Sequence, residues 1–207
     1  MAGKASRAWI PGSDRELRIE KRVENPNLFI ITGGPGSGKT TVLLELEKKG
    51  FSFAPEVARQ IIQEQVRDGG SALPWADRES YTKLMLERSV ASYKAHSASG
   101  KPTFSDRGIP DTLSYAHLIG LTDQYYLHTA CRQYRYASLV FIAPPWHEIY
   151  EIDSERKQDF AEAVRTYEQL TSTYQEYGYE LLELPKVVPS DRARFILNQL
   201  PKYAFER

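Results

Sequence analysis

The chain has 207 residues, of which 41% are hydrophobic, and its 27 basic side chains balance 27 acidic ones. This length and composition predict one α/β domain with a sizeable core. The balanced charge excludes a summed field that would attract nucleic acid or an anionic membrane. A single cysteine, Cys131, excludes an internal disulfide, and no apolar stretch is long enough to cross a bilayer. We therefore expect a cytoplasmic protein whose partners are small molecules or proteins, in an oligomeric state that no pattern specifies.

Residues 1–25 mix basic and acidic side chains before the first apolar run, so we interpret them as an arm or an added edge element. In residues 26–207, short apolar runs alternate with longer helical patterns, which indicates parallel strands joined by helices in a three-layer sandwich. The predicted elements, in chain order, are strand 28–32, helix 39–49, strand 51–54, helices 56–66 and 75–96, strand 101–106, helices 111–119 and 123–132, strand 138–142, a helix ending near 177, strand 179–184 and helix 190–200.

The most specific motif directly follows the first predicted strand, where Gly33–Thr40 reads G-x-x-x-x-G-K-T. Glycines let the backbone N–H groups point at phosphates, and the following helix adds its positive dipole end. We expect Lys39 to reach the β- and γ-phosphates and the Thr40 hydroxyl to ligate Mg²⁺. The chain lacks the Asn/Thr-Lys-x-Asp signature that reads guanine, which favours ATP without excluding GTP. The predicted nucleotide-binding residues are Gly34, Pro35, Gly36, Ser37, Gly38, Lys39, Thr40 and Thr41.

A carboxylate follows the second predicted strand, and ligands of such sheets gather at the carboxyl ends of the strands. Glu56 is placed to act as a general base that orients an acceptor hydroxyl, with Arg59 about one helical turn onward. The alternative is a first-turn glutamate that is favoured only by the helix dipole. Both interpretations of Glu56 stay open at this stage.

Charged residues also follow the third and fourth predicted strands. Asp106 is expected to hold Mg²⁺ through water, and Arg107 to neutralise charge on the transferring phosphoryl group. The alternative is a buried Asp–Arg ion pair that closes the strand end. The charged segment 147–159 is typical of a kinase lid, with Arg156 as the candidate catalytic cation and Lys157 and Arg165 behind it. A solvated helix face is the alternative for this segment.

We interpret most aromatic residues of the chain as part of the core. Two aromatic residues are exceptions. Trp75 and Tyr81 lie in the loop and helix that would cover a pocket for the acceptor. We therefore predict that they bind the acceptor.

Together these motifs resemble the NadR-like AAA-domain family of predicted ATPases, whose namesake contains a nicotinamide riboside kinase. The motifs are Gly-Gly-Pro-Gly-Ser-Gly-Lys-Thr-Thr, Pro55–Arg59, Asp106–Asp111 and Pro144–Trp146. The chain is also similar to nucleoside and deoxynucleoside kinases, which carry a catalytic Glu, an acidic–Arg pair and an Arg-bearing lid after successive strands. The resemblance implies a P-loop kinase core with a parallel five-stranded sheet in the order 2-3-1-4-5, and an acceptor site that includes Asp111. The chain departs from those kinases in having one clear lid arginine, and from ring-forming AAA proteins in lacking their second-region arginine finger.

Two functions follow. The first is a Mg²⁺-dependent kinase that transfers the γ-phosphate of ATP to a hydroxyl of a nucleoside-like or riboside-like small molecule. The alternative is a regulatory ATPase or GTPase switch whose nucleotide state is read by a protein partner. For the kinase, the catalytic residues are Lys39, Glu56, Asp106, Arg107 and Arg156, the metal ligands are Thr40 and Asp106, and the acceptor contacts are Glu56, Arg59, Trp75, Tyr81, Arg107 and Asp111.

Overall fold

The computed structural model describes residues 22–97, 100–150 and 159–200. The strands are β1 (Val23–Glu24), β2 (Leu28–Gly33), β3 (Ser52–Ala54), β4 (Thr103–Asp106), β5 (Tyr134–Arg135), β6 (Leu139–Ala143) and β7 (Glu180–Glu183). The α-helices are α1 (Lys39–Glu47), α2 (Val57–Asp68), α3 (Arg78–Ser97), α4 (Ile109–Leu118), α5 (Tyr125–Gln133), α6 (Phe160–Glu176) and α7 (Pro189–Gln199), and a short 3₁₀-helix covers His147–Ile149.

Five strands form one parallel sheet in the order β3-β4-β2-β6-β7. This confirms the predicted order 2-3-1-4-5, since β2 is the first strand of that scheme. The central strand β2 is buried along its whole length, as expected for a parallel strand covered on both faces. Ile31 of β2 lies opposite Asp106 of β4. The carboxyl ends of these two neighbouring strands therefore meet at one edge of the sheet.

Side chains that alternate along β2 build two separate cores. Leu28 and Ile30 pack with α3, α4, α5 and α6 on one face of the sheet. Phe29 and Ile31 pack with α1 and α7 on the other face. Because neighbouring residues of a strand point to opposite faces, one apolar run supplies both layers. The observed architecture is the predicted three-layer sandwich.

Local signals set the helix ends that surround the sheet edge. α1 begins directly after Gly38, which has the left-handed φ of 79°. α2 ends at Gly69, also left-handed with φ 68°. The Asp159 side chain accepts a hydrogen bond of 2.7 Å from the Glu162 N–H and so caps α6.

Beyond shifts of one or two residues at other element ends, the structure differs from the predicted elements in four places. β1 pairs with β5 in a separate two-stranded sheet, so the end of the predicted arm joins the domain away from the main sheet. α2 continues to Asp68, and α3 begins at Arg78 rather than at Trp75. Ser190 does not cap α7, because Pro189 already occupies its first turn and Val188 precedes it.

Among the described helices, none is long and apolar enough to cross a membrane.

Candidate active site

The glycine-rich segment after β2 forms a tight loop that opens into α1. Gly33, Gly36 and Gly38 all have positive φ, at 141°, 68° and 79°. Such angles are strained for residues with a Cβ, which explains glycine at these positions. A cavity of about 240 Å³ lies against this loop, and we call it the loop cavity. Its lining is Pro35, Gly36, Ser37, Gly38, Lys39, Thr40, Thr41, Glu56, Arg59, Ile149 and Tyr150.

Lys39 is buried within the loop at 5% exposure. Its Nζ donates to the carbonyl oxygens of Gly33 and Gly34 at 3.0 and 2.9 Å, and to the Ser37 hydroxyl at 3.3 Å. A buried ammonium needs such acceptors, or an anion, to offset its lost hydration. These contacts hold the Lys39 charge at the loop cavity, where an incoming phosphate would meet it.

Two side chains from distant parts of the chain brace the loop. The buried Arg192 of α7 donates to the Ser37 carbonyl at 2.8 Å and to the Pro185 carbonyl at 2.8 Å. The Tyr150 ring lies against Gly36, where an added Cβ would come within 2.7 Å of it. The loop is therefore held in shape by contacts outside its own motif.

A second, larger cavity of about 530 Å³ adjoins the first, and we call it the side cavity. Pro35 and Glu56 line both cavities. The side cavity is walled by α2, α3, α4 and α6 together with the loop before α3. Its lining is Pro35, Glu56, Ala58, Ile62, Pro74, Trp75, Arg78, Tyr81, Met85, Arg107, Asp111, Ser114, Tyr115, Leu118, Ile119, Glu162, Arg165, Thr166 and Leu170.

An ionic network occupies the region where the cavities meet. Arg107 donates from Nε to Glu56 at 2.9 Å and from Nη1 to Asp111 at 3.1 Å. Burial alone would lower the pKa of Arg107, but the surrounding carboxylates raise it well above the ordinary value. Arg107 is therefore a permanent cation whose position is set by two carboxylates. The ion pair of Arg107 is with Glu56 and Asp111, which differs from the Asp106–Arg107 pair considered from the sequence.

Asp111 accepts hydrogen bonds from several elements around the site. Besides Arg107, it accepts from the Thr32 hydroxyl at 2.6 Å, the Tyr174 hydroxyl at 2.5 Å and the Gly108 N–H at 2.9 Å. These bonds occupy both carboxylate oxygens. Asp111 lines the side cavity, and its role as an acceptor contact stays a prediction. Its observed contacts fix Arg107 in place.

The backbone at Arg107 is strained. Its φ is 72°, the one positive value found among the described non-glycine residues. The Arg107 N–H donates to the Ile31 carbonyl at 3.0 Å, and its own carbonyl accepts from the Ser105 hydroxyl at 2.6 Å. Left-handed residues with a side chain cost roughly 1–3 kcal/mol and cluster at functional sites. The surrounding fold therefore maintains an unfavourable conformation that directs Arg107 at the site.

Asp106 is buried beside the loop at 7% exposure. Its Oδ1 atom is buried without a hydrogen-bond partner among the described residues. Burial raises the pKa of Asp106 to about 6, an effect that the Lys39 charge opposes. An unsatisfied carboxylate oxygen that is buried close to the Lys39 charge fits the oxygen ligands of Mg²⁺.

The remaining predicted residues are distributed between the two cavities. Trp75 and Tyr81 line the side cavity, Trp75 with 59% of its surface exposed and Tyr81 buried. Arg59 lines the loop cavity instead, while Ala58 and Ile62 of the same helix face the side cavity. Arg59, predicted to contact the acceptor, therefore lies in the lining of the loop cavity and not in that of the side cavity. Arg156 lies outside the described residues.

The sequence interpretation did not identify several residues of the site. Arg78 and Tyr115 line the side cavity, and Arg165, considered only as support for the lid, lines it too. Thr32 and Tyr174 hold Asp111 from β2 and α6. Their positions depend on how helices pack on the sheet, which no local pattern reports.

The parallel sheet and the loop after its central strand define a protein with the P-loop kinase fold. A family model described as AAA domain matches residues 28–192. The chain belongs to this AAA-domain family. No curated protein sequence matches the chain at a significant level.

Solved structures share this fold at low sequence identity. The NadR protein in complex with NR aligns with a TM-score of 0.65 and 15% identity over 91% of this chain and 52% of that one. This chain therefore spans about half the length of that NadR structure. Thymidylate kinase from Ehrlichia chaffeensis aligns at 0.55 and 16% identity over 84% and 98% of the two chains. Shikimate kinase from Acinetobacter baumannii in complex with shikimate aligns at 0.50 and 18% identity over 84% and 95%. The predicted NadR-like P-loop kinase fold is confirmed.

Proposed function

We propose that the protein is a Mg²⁺-dependent kinase that transfers the γ-phosphate of ATP to a hydroxyl of a small, nucleoside-like or riboside-like molecule. The observation that carries this proposal is the meeting of two cavities at Pro35 and Glu56. A loop cavity alone serves any nucleotide hydrolase. A second cavity of about 530 Å³ beside it has the size of a small-molecule site.

The loop cavity holds the triphosphate of the donor. Backbone N–H groups of residues 34–40 and the α1 dipole bind the phosphates, and Lys39 leaves its carbonyl acceptors to bind the β- and γ-phosphates. Arg59 adds a further cation on this side of the site. Thr40 and Asp106 would hold Mg²⁺, which neutralises charge on the β- and γ-phosphates when bound.

Glu56 receives the proton in the transfer step. The acceptor oxygen forms a bond to the γ-phosphorus while the bond from that phosphorus to the β–γ bridging oxygen breaks, which releases ADP. The hydroxyl proton passes to the Glu56 carboxylate, whose orientation is set by Arg107. Arg107 also stabilises negative charge on the transferring group. Arg156 remains the proposed lid cation, on the basis of the sequence.

Several features of the chain support this assignment over a nucleotide switch. The fold neighbours named above include two kinases of small molecules, whose likeness is one of fold. The side cavity offers room for an acceptor beside the loop cavity, and hydrolysis by a switch uses no acceptor. A switch would hydrolyse ATP at the same rate with and without an acceptor.

The test is ATP consumption by the full chain with Mg²⁺, with and without a panel of nucleosides and ribosides. We expect turnover that depends on an acceptor and yields a phosphorylated product detectable by mass spectrometry. Slow hydrolysis that no acceptor stimulates would contradict the kinase and support the switch. Competition between ATP and GTP in the same assay determines the donor base.

A further inference from the structure

The side cavity contains two arginines that lack carboxylate partners. Arg78 of α3 and Arg165 of α6 both line it, and neither forms an ion pair with a described carboxylate. Arg78 donates from Nε to the Pro74 carbonyl at 3.1 Å, which leaves its charge uncompensated. Elsewhere, Arg67 and Arg194, which are exposed as Arg78 and Arg165 are, each pair with an aspartate. Two guanidinium groups without an ion pair to a described carboxylate therefore lie on separate helices at one cavity.

A neutral hydrogen-bond donor lies close to Arg78. The Tyr115 hydroxyl is buried and makes no hydrogen bond within the described part of the chain. Burial raises the pKa of Tyr115 to about 12, with Arg78 opposing the shift, so the hydroxyl keeps its proton at neutral pH. A buried donor without an acceptor costs roughly 1–3 kcal/mol. An acceptor oxygen supplied by a ligand would satisfy it.

The other charged residues of the lining are one arginine and three carboxylates. Glu56 and Asp111 pair with Arg107 and exceed its charge by one negative charge. Three further hydrogen bonds to Asp111, described above, stabilise that excess. The further carboxylate of the described lining is Glu162, one turn before Arg165 on α6. The lining as a whole thus has three arginines and three carboxylates, but Arg78 and Arg165 together exceed Glu162 by one positive charge. Most of the remaining wall is apolar or aromatic, from Ile62, Trp75, Tyr81, Met85, Leu118, Ile119 and Leu170.

We infer that the acceptor carries an oxyanion, a carboxylate or a phosphate, away from its reacting hydroxyl, and that Arg78, Arg165 and the Tyr115 hydroxyl recognise it. This inference rests on the proposed kinase function of the same site. Guanidinium groups bind carboxylate and phosphate oxygens through paired, charge-assisted hydrogen bonds. The reacting hydroxyl lies at Glu56, and the apolar wall packs against the body of the acceptor.

Matched pairs of probes, in which one member carries an oxyanion that the other lacks, test this inference by binding. For these probes, the words charged and uncharged refer to this oxyanion alone. The carboxylate arms compare nicotinic acid riboside with nicotinamide riboside, and orotidine with uridine. The phosphate arm compares adenosine 3′-monophosphate with adenosine. Calorimetry with the full chain, Mg²⁺ and a non-hydrolysable ATP analogue measures each affinity without requiring transfer. We expect the charged member of at least one pair to bind about tenfold more tightly, as a charge-assisted hydrogen bond implies.

Substitution of the two arginines locates the selectivity. Arg78→Gln and Arg165→Gln should each reduce the ratio of charged to uncharged affinity toward about one, because a charge-assisted bond is lost. The control is Arg132→Gln, an exposed arginine of α5 outside both cavities, which should leave the ratio unchanged. Selectivity in a carboxylate pair indicates that the acceptor carries a carboxylate, and selectivity in the phosphate pair indicates that it carries a phosphate.

The outcomes separate this inference from the kinase proposal. The inference is overturned if the two members of every pair bind equally, if the members without the oxyanion bind more tightly, or if no member with the oxyanion binds. It is also overturned if both arginine variants leave the ratio of the two affinities unchanged. Phosphorylation of the uncharged members without selectivity would leave the kinase standing and remove this inference. Selective binding of an anion without any phosphoryl transfer would instead contradict the kinase.

Discussion

The Arg107 guanidinium donates from Nε to Glu56 at 2.9 Å, across 51 positions of the sequence. Both side chains follow strands that lie in one sheet, so the parallel arrangement of β3 and β4 brings them together. Asp111 holds the other side of the guanidinium. The general base and the cation that we assign to the transfer step therefore form a single ionic unit.

Glu56→Gln tests the base within this unit. The amide keeps the shape of the side chain and can still accept from Arg107, but it takes no proton from an acceptor hydroxyl. We expect the turnover number to fall at least about tenfold, a modest share of what general bases contribute, while ATP affinity stays within about twofold. Steady-state kinetics and calorimetry measure the two quantities.

The matched control for this change is Glu64→Gln on α2, where the glutamate pairs with Arg88 outside both cavities. It should leave turnover unchanged. If Glu56→Gln also turns over at the wild-type rate, Glu56 is not the base.

Alanine variants of two glycines with the same φ distinguish an effect on ATP binding by the loop from a general effect of backbone strain. Gly36 and Gly69 both have φ 68°, but a Cβ at Gly36 meets the Tyr150 ring at 2.7 Å, whereas one at Gly69 meets nothing within 4 Å. Alanine at either position adds a left-handed strain of roughly 1–2 kcal/mol. We expect both variants to lose thermal stability and Gly36→Ala alone to weaken ATP binding by about tenfold or more, since it deforms the phosphate loop.

Thermal denaturation and nucleotide titration of the two variants provide the measurement. Equal ATP affinities for Gly36→Ala and Gly69→Ala would show that the loop does not bind the nucleotide.

Asp106→Asn should stabilise the ligand-free protein at neutral pH. Burial raises the pKa of Asp106 to about 6, from an ordinary value of 3.8. Between these two pH values Asp106 binds its proton more strongly in the folded state than in the unfolded state. The wild type therefore loses stability as pH rises from about 4 to about 6. The shift corresponds to at most about 3 kcal/mol at pH 7.5, and the neutral amide removes this cost.

Chemical denaturation of both proteins from about pH 4 to pH 8 checks the sign. The difference in unfolding free energy between the Asn variant and the wild type should become smaller as the pH falls toward about 4. ATP with Mg²⁺ should no longer stabilise the variant. An Asn variant that is less stable than the wild type at pH 7.5 would contradict the assignment of Asp106 as an unsatisfied carboxylate.

Two tyrosines of α6 provide a test of how Asp111 positions Arg107. The Tyr174 hydroxyl donates to the buried Asp111, and the Tyr167 hydroxyl donates to the exposed Glu183. Tyr174→Phe removes a donor from a buried carboxylate and should cost about 1.5–3 kcal/mol of unfolding free energy. Tyr167→Phe should cost under about 0.5 kcal/mol, as surface changes do.

Turnover gives the second readout of this comparison. If Asp111 fixes Arg107 for catalysis, Tyr174→Phe lowers the turnover number while Tyr167→Phe does not, measured at a temperature where both remain folded. Equal turnover in the two variants would limit Tyr174 to a role in stability.

Sequence reasoning anticipated the positions of side chains best at strand ends, and the roles of these side chains stay predictions. Glu56 and Arg107 follow strands of one parallel sheet, and the sheet order was available from the motifs, so their proximity could be anticipated. Arg59 shows the limit of that reasoning. Each residue of a helix turns the side chain by about 100°, so the start of α2 at Val57 decides which cavity Arg59 faces.

The walls of the side cavity could not be predicted in the same way. Arg78, Tyr115 and Arg165 come from α3, α4 and α6, and they meet only through the packing of these helices on one face of the sheet. Helix packing angles follow from side chains that are distant in sequence. The sequence does not predict the left-handed conformation of Arg107 either. Local backbone preference disfavours this conformation, and the surrounding fold imposes it.

The most direct test of phosphoryl transfer at this site follows the isotope of the attacking oxygen. The full chain is incubated with ATP, Mg²⁺ and the acceptor panel in water enriched in ¹⁸O, and the products are analysed by mass spectrometry. A kinase yields a phosphorylated acceptor without ¹⁸O, and this product is lost in Lys39→Ala. Inorganic phosphate that carries ¹⁸O, with no phosphorylated acceptor, would show that water is the nucleophile and would contradict the account.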